Sequence, residues 1–363
     1  MQAQDFMRRA LALAAKARPI SPPNPSVGCV IEKDGIILGE GFTQAVGSDH
    51  AEIQAIKDAN AKGHGIEGAT VYVTLEPCSH YGRTPPCALR LIKEKVARVV
   101  IACLDPNPLV AGKGKMLLEQ AGIAVEVGLM QDEAWQMNAG FMTRMTEHRP
   151  WVRMKLAMSL DGLTALPDGT SQWITSAAAR EDGRRYRSEA GAVLTGIGTV
   201  LADDPQMTAR LDGRLCPRQP LKVVCDSDLR IAENQKIFES GKVLVVCARA
   251  DSEKVKKLTR RGVEVLAMPD HGRVNLKALL AELARREVNE VHVEAGATLS
   301  GAFWEAGLVD ELVCYVAPKV LGAGRPAMRV REAPDLTADP DWQIVEATLL
   351  SPDVRLILRK RKK

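Results

Sequence analysis

Apolar side chains along the chain switch between a helical and a strand period. Near the start, Phe6, Ala10, Leu13 and Ala14 fall on one face of a 3.6-residue period, which predicts an amphipathic helix. The apolar stretch Met7 to Ala15 stops at Lys16 with no small-residue cleavage site before Pro19, so it does not read as a secretory signal. A strand from Val27 to Ile31, a turn at Lys33-Asp34-Gly35 and a strand from Ile36 to Phe42 predict a hairpin. Helical spacing follows His50, then a strand from Val71 to Thr74, a helix after Cys87, a strand from Val99 to Ala102, and a helix that stops at Gly122. This alternation predicts a three-layer α/β domain.

The pattern restarts around His148-Arg149-Pro150, where proline breaks any preceding helix, so residues 1–148 and 149–363 are expected to form separate domains. Beyond the break, Trp151 to Met158, Ala192 to Thr195, Leu221 to Cys225, Val243 to Cys247, Val263 to Met268, Val291 to Glu294 and Leu312 to Ala317 read as strands, several separated by helices. That is a second α/β domain. The last stretch, Trp342 to Leu349 and Val354 to Leu358 around Ser351-Pro352-Asp353, predicts an antiparallel hairpin, which a purely parallel dinucleotide fold would not require.

Composition adds limits. A chain of 363 residues exceeds what one core usually supports, and 46% hydrophobic with 26% charged residues suits two globular cores. No apolar run reaches the roughly 18 residues that span a bilayer. The net charge of +4 is smaller than the five cations from Arg359 to Lys363, and 4% aromatic residues leave few stacking platforms, which argues against nucleic acid as a partner. Eight cysteines without a secretory signal point to a reducing, cytoplasmic compartment where thiols pack or ligate metal.

The strongest chemical signal is His50-Ala51-Glu52, then Glu76-Pro77-Cys78 and Cys87. One neutral imidazole and two thiolates cancel the charge of a single Zn²⁺ and leave its fourth tetrahedral position open to water, whose pKa such a metal lowers to about 7. Glu52, two residues past His50, is placed to carry a proton from that water to a ring nitrogen and departing ammonia. Cys87 stands where a helix begins, a position that favours thiolate. This constellation is the zinc-deaminase signature, except that eight residues, Ser79 to Pro86, separate the cysteines instead of two. The alternatives are a closed structural zinc, for which His80 is the available fourth ligand, and an unrelated pair of buried cysteines.

These motifs resemble the bifunctional riboflavin deaminase-reductases, in which a long inter-cysteine loop is a hallmark. The matching stretches are Pro23 to Gly28 (PNPSVG), Thr74 to Cys87 (TLEPCSHYGRTPPC), Asp105-Pro106-Asn107-Pro108 and Val110-Ala111-Gly112. The resemblance implies a cytidine-deaminase-like α/β/α domain, with Asn24, His80, Arg83, Asp105 and Asn107 as contacts to a phosphorylated pyrimidine. One position departs: many relatives carry a histidine seven residues before the zinc-ligand histidine, where this chain has Thr43.

Past Pro150 the residues alone say less. Gly196-Ile197-Gly198 follows a strand but lacks the third glycine of a dinucleotide fingerprint, and Val293 to Leu299 (VEAGATL) reads equally as a phosphate-binding helix start or an ordinary turn. Asp161-Gly162 reads as a turn. The same family carries a dihydrofolate-reductase-like second domain, matched here by Lys155 to Gly162 (KLAMSLDG), Ser171 to Ser176 (SQWITS), Gly198 to Pro205 (GTVLADDP) and Val293 to Gly296. The resemblance implies NADPH contacts from Ala157, Trp173, Thr199, Asp203, Ser227 and the run Gly296, Ala297, Thr298 and Leu299. It implies a substrate pocket of Lys155, Ser171, Arg187, Met207, Arg210 and Glu294, with Lys155 and Glu294 catalytic. The implied reactions are deamination of 2,5-diamino-6-ribosylamino-4(3H)-pyrimidinone 5′-phosphate, then reduction of its ribosyl chain to ribityl, in a homo-oligomer. The rivals are a zinc deaminase of a free nucleoside or tRNA base with an unrelated second module, and a nucleic-acid-binding protein with structural zinc.

Overall fold

In a computed structural model, which describes residues 2–81, 85–108, 110–331, 337 and 341–361, the first amphipathic stripe forms α1 (Ala3–Ala17). It buries Phe6, Met7, Ala10, Leu11, Leu13, Ala14 and Ala17, three more positions than the periodicity singles out. The chain then divides into two compact units, 1–148 and 149–363.

The first unit continues with β1 (Gly28–Lys33), β2 (Ile36–Phe42), α2 (Ala51–Ala61), β3 (Thr70–Val73), α3 (Cys87–Lys93), β4 (Arg98–Ile101), α4 (Lys113–Gln120), β5 (Ala124–Val127), α5 (Gln131–Met137) and α6 (Ala139–Glu147). Its sheet runs β2-β1-β3-β4-β5, antiparallel through β3 and parallel beyond. Cys29 pairs with Gly41, so the two share a face and neighbouring Gly28 points the other way. A Cβ on Gly28 would fall 1.9 Å from the Ala10 carbonyl oxygen and one on Gly41 2.3 Å from that of Ala51. The bare backbone therefore lets α1 and α2 lie directly on opposite faces of the sheet, which is the three-layer arrangement. The stretch from Ile123 to Glu147 escapes the sequence pattern. β5 is a largely exposed edge, and Asn138 interrupts the helical period between α5 and α6 because its side chain clamps both the N–H and the carbonyl of Ser26, at 2.7 and 2.9 Å.

The second unit comprises β6 (Trp151–Ser159), β7 (Leu163–Ala165), α7 (Ala177–Glu189), β8 (Ala192–Gly196), α8 (Ile197–Asp203), β9 (Arg210–Leu211), β10 (Arg214–Leu215), β11 (Leu221–Cys225) and β12 (Val243–Cys247). It goes on with α9 (Ser252–Arg260), β13 (Glu264–Ala267), β14 (Pro269–Asp270), β15 (Arg273–Val274), α10 (Leu276–Arg285), β16 (Glu290–Val293), α11 (Ala297–Glu305), β17 (Glu311–Ala317), β18 (Arg325–Pro326), β19 (Trp342–Leu350) and β20 (Asp353–Lys360). The main sheet runs β13-β12-β11-β8-β16-β6-β17-β20-β19 and is parallel as far as β17. The final hairpin then joins it antiparallel, as the pattern around Ser351-Pro352-Asp353 predicts. One face of the sheet, with Val152, Met154 and Leu156, packs against Leu279 and Leu283 of α10 and Phe303 of α11. The other meets Tyr186 of α7 and Leu258 of α9. Among the described residues, no helix is long and apolar enough to cross a membrane.

Candidate functional site

In the first unit, α2 starts where its close packing on β2 fixes it, which makes His50 its N-cap and puts Glu52 in its first turn. Cys87 opens α3, and the Cys87 N–H points at Cys78 Sγ, 3.3 Å away. His50 Nδ1 lies 3.6 Å from Cys78 Sγ and 3.4 Å from Cys87 Sγ. Zinc bonds of about 2.0–2.1 Å to nitrogen and about 2.3 Å to sulfur, at a tetrahedral angle, would set those atoms roughly 3.6 Å apart. The three side chains thus fit one zinc ion, and their ligand atoms all lie within 4.8 Å of one another. His80 is not in that cluster; its Nδ1 is buried without a hydrogen-bond partner among the described residues.

Glu52 is buried beside these ligands at 4% exposure. Burial, reinforced by the Cys78 charge, pushes its carboxyl up to about 7, while His50 pulls the other way. Hydrogen bonds from Cys87 and His50 bring the Cys78 thiol down to about 4, whereas Cys87, facing that charge from burial, is pushed up. Such a carboxyl is poised to hold or release a proton near neutrality.

Asp105 is buried next to this cluster. Burial, helped by the charges of Glu76 and Cys78, lifts its carboxyl to about 6 against the N–H of Asn107, which donates to it at 2.8 Å. Asn24 lies in the turn leading to β1, its N–H donating to the Ser21 carbonyl. Thr43 ties its hydroxyl to the backbone of Val27. Arg83 lies outside the described residues. Sequence reasoning noticed Glu76 only as part of a motif. Its buried carboxylate accepts the backbone N–H groups of Asp105, Gly112 and Lys115 at 3.0–3.2 Å, and so fastens the Asp105–Asn107 loop to the turn that carries Cys78. The only hint was an acid directly before Pro-Cys, because backbone partners leave no mark on side-chain spacing.

In the second unit, β6 and β16 are neighbours: Lys155 lies midway along β6, directly after the Met154 that pairs with Val293, and Glu294 follows the end of β16, so the two residues come side by side. Lys155 Nζ stands 3.3 Å from Glu294 Oε2. Arg187, from the last turn of α7, grips the same carboxylate through Nε and through a second nitrogen at 3.0 Å, and donates to the Thr208 carbonyl. Burial works to raise the Glu294 carboxyl, but Arg187 and Lys155 outweigh it and hold it well below the ordinary range.

Lys155 and Glu294 line a cavity of about 1060 Å³. Ser171, Ala157, Thr199, Asp203 and Ser227 line it too, as does the turn from Gly296 through Ala297 and Thr298 to Leu299. The small residues Gly196, Gly198 and Gly296 leave backbone exposed to the cavity at the starts of α8 and α11; Arg230 adds positive charge, while Arg249 is paired with Asp228 in the same lining. A nicotinamide dinucleotide, with its phosphates, fits this volume and lining. Four further expected contacts are not among the residues that line this cavity. Trp173 is exposed and stacks under Arg180 at 4.1 Å, and Met207 is buried in the core beside β11. Arg210 donates to oxygens of Thr208, Gly213 and Gln206, and Arg187 meets the cavity through Glu294. Asp161 is a turn residue, accepting the N–H groups of Leu321 and Gly322.

Comparison with known proteins agrees with both halves. Residues 1–103 match the cytidine and deoxycytidylate deaminase zinc-binding region, and residues 150–356 the RibD C-terminal domain. The riboflavin biosynthesis protein RibD of Escherichia coli is 45% identical, covering 99% of each chain, and that of Haemophilus influenzae 44%, covering 97% of this chain and 95% of the relative. Among solved structures, Acinetobacter baumannii RibD superposes with a TM-score of 0.89 at 42% identity over 99% of both chains. The Thermotoga maritima diaminohydroxyphosphoribosylaminopyrimidine deaminase/5-amino-6-(5-phosphoribosylamino)uracil reductase does so at 0.88 and 34%, over 99% of this chain and 98% of that one. A zinc-binding deaminase unit followed by a reductase unit, related over essentially its whole length to these proteins, the chain belongs to the RibD family of bifunctional deaminase/reductase enzymes of riboflavin biosynthesis.

Proposed function

We propose that the first unit deaminates 2,5-diamino-6-ribosylamino-4(3H)-pyrimidinone 5′-phosphate and that the second reduces the ribosyl chain of the product to ribityl with NADPH, giving 5-amino-6-ribitylamino-uracil 5′-phosphate. The observation that carries the reading is the triad His50, Cys78 and Cys87 at tetrahedral zinc spacing with the protonatable Glu52 beside it. Bound zinc supplies acidification of a water to a pKa near ~7. Glu52 takes one proton from the attacking water and gives it to the ring nitrogen, then takes the second from the newly attached hydroxyl and gives it to the amino group, which leaves as ammonia while the carbonyl forms. Asn24, His80, Arg83, Asp105 and Asn107 hold the pyrimidine and its ribose phosphate, and Glu76 keeps the Asp105–Asn107 loop in place.

In the second unit NADPH supplies the hydride. Ala157, Thr199, Asp203, Ser227 and the turn Gly296 to Leu299 hold it along the cavity, and Trp173 is a further contact. Lys155 addresses the sugar and Glu294 its hydroxyls or developing charge, while Arg187 and Arg210 serve the phosphate and Ser171 and Met207 shape the pocket. Among the described residues all eight cysteines are free, which suits a cytoplasmic setting, and the exposed Ile344, Val345 and Leu349 on edge strand β19 support a homo-oligomer.

Elemental analysis beside an ammonia-release assay tests the reading. One zinc per chain is expected, and Cys78→Ser should lose both metal and deamination. A metal-free protein with full deaminase activity would overturn it.

A further inference from the structure

His292 lies at the centre of the reductase sheet, on β16, opposite Arg153 of β6 and Val193 of β8. It is completely buried, and neither ring nitrogen has a hydrogen-bond partner among the described residues. Its ring stacks on Tyr186 of α7 at 5.9 Å and 16°. Two residues further along the same strand direction, and hence on the same face, comes Glu294, whose Oε1 is 3.5 Å from His292 Nε2. The other charged groups around the ring are Arg153, Lys155 and Arg187. Burial drives the imidazole pKa down to about 3; Glu294 pulls it up and the three cations push it further down. The ring is therefore neutral and carries a single N–H, and the acceptor facing it is Glu294.

A buried polar group without a partner normally costs stability, so an unpaired imidazole beside the reacting groups calls for a reason. Glu294 supplies one. Its carboxylate is held by Arg187 and Lys155, the same cations that must turn toward substrate in the proposed reaction. Whatever bond they give up leaves a buried anion short of donors. We propose that His292 is a positioning residue of the reductase site, its Nε2–H closing on Glu294 Oε1 when substrate draws Lys155 or Arg187 away. The contact is too long for a good hydrogen bond at rest and shortens on engagement, as bonds around catalytic groups commonly do. This inference rests on the reading of Lys155, Glu294 and Arg187 as the reductase substrate site.

The test compares His292→Phe, His292→Gln and Lys155→Ala in the full chain, following nicotinamide absorbance with the deaminated intermediate supplied. His292→Phe keeps the ring stack and removes both unpaired nitrogens, so its melting temperature should equal or exceed that of the parent. Its kcat should nevertheless fall roughly 10- to 100-fold, the value of one hydrogen bond to a charged group, with KM for NADPH unchanged. His292→Gln, which retains a donor, should recover to within about fivefold of the parent. A purely structural role would instead couple loss of rate to loss of stability and leave Gln no better than Phe. In the unsubstituted protein, ¹⁵N-labelled His292 should show the Nε2–H tautomer from pH 5 to 8, with its proton moving downfield when the ribityl product binds. Wild-type kinetics in a folded His292→Phe protein, or an Nδ1–H tautomer, overturns the proposal; the tautomer decides if the Phe variant does not fold. Should Lys155→Ala reduce the intermediate normally, the site reading itself fails, whereas a crippled Lys155→Ala beside an intact His292→Phe removes only the role of His292.

Discussion

Glu52 and Glu294 are both withdrawn from water, at 4% exposure and 11% for the side chain respectively, yet their surroundings send them in opposite directions. Around Glu52 the neighbours are thiols and an imidazole, so burial prevails and the carboxyl rises to about 7. Around Glu294 the neighbours are a guanidinium and an ammonium, so burial is overridden and the carboxyl stays ionised. The first arrangement suits a group that trades protons, the second one that must remain an anion to hold cations and meet hydroxyls. Burial alone therefore does not assign a role to a carboxyl; the charge of its partners does.

The largest expected effect breaks the comparison on the proton-trading side. Glu52→Gln keeps the shape but cannot accept and return a proton, so ammonia release should drop by about 10²- to 10⁴-fold while zinc content stays at the level of the parent. Oxidation of NADPH with the deaminated intermediate should continue at near the parental rate. Loss of zinc together with activity would make Glu52 a ligand or a folding residue instead.

Next comes the anionic side. Glu294→Gln leaves Arg187 and Lys155 facing each other without their counter-charge, which should destabilise the second unit by about 3–5 kcal/mol and slow reduction by at least ~10²-fold. Deamination should be spared. Thermal melting and the two activity assays separate these outcomes, and unchanged stability would mean that the cluster is more solvated than its geometry implies.

The smallest effect sharpens the comparison through pH. Glu311 is another carboxylate of the Glu294 kind: burial tends to raise it, but Arg153 and Arg359 prevail and hold it at about 2 against an ordinary 4.5. A depressed carboxyl contributes stability that is present above its unfolded pKa and lost as pH falls through the folded one. The second unit should accordingly weaken between pH 4.5 and 2, with roughly 3 kcal/mol at stake from this group, since a tenfold change in an acidity constant corresponds to about 1.4 kcal/mol. Denaturant titrations of the parent and Glu311→Gln check the sign; a stability that rises toward pH 2 would contradict it.

Both architectures were legible in the sequence where apolar runs are long or strictly alternating. β2, β11 and β12 begin and end where the pattern places them, because Gly-rich or charged turns bound them on both sides. The structure also brings together the ligand trio that rare residue types and short spacing had marked. Lys155 and Glu294 are 139 residues apart, and nothing in local spacing connects them; only the family resemblance did. His292 was invisible for another reason. Within Glu290-Val291-His292-Val293 it reads as the ordinary polar position of an alternating strand, yet that face is covered by α7 and the position is fully buried. Glu76 shows the same limit, since its partners are backbone amides that every residue type offers.

The place of β6 in its sheet bears on how the second unit comes into being. This strand opens the unit, but both of its neighbours, β16 and β17, are made more than a hundred residues later. As the chain leaves the ribosome, β6 therefore waits with two bare parallel edges until most of the unit has been synthesised, while the first unit already has every strand of its own sheet. Parallel pairings of such long separation form slowly, and an apolar strand with open edges invites association with other chains in the interval. A chain cut short before Glu290 would leave that condition permanent, so synthesis of the last third of the second unit is what converts β6 from an aggregation hazard into the floor on which Lys155 stands.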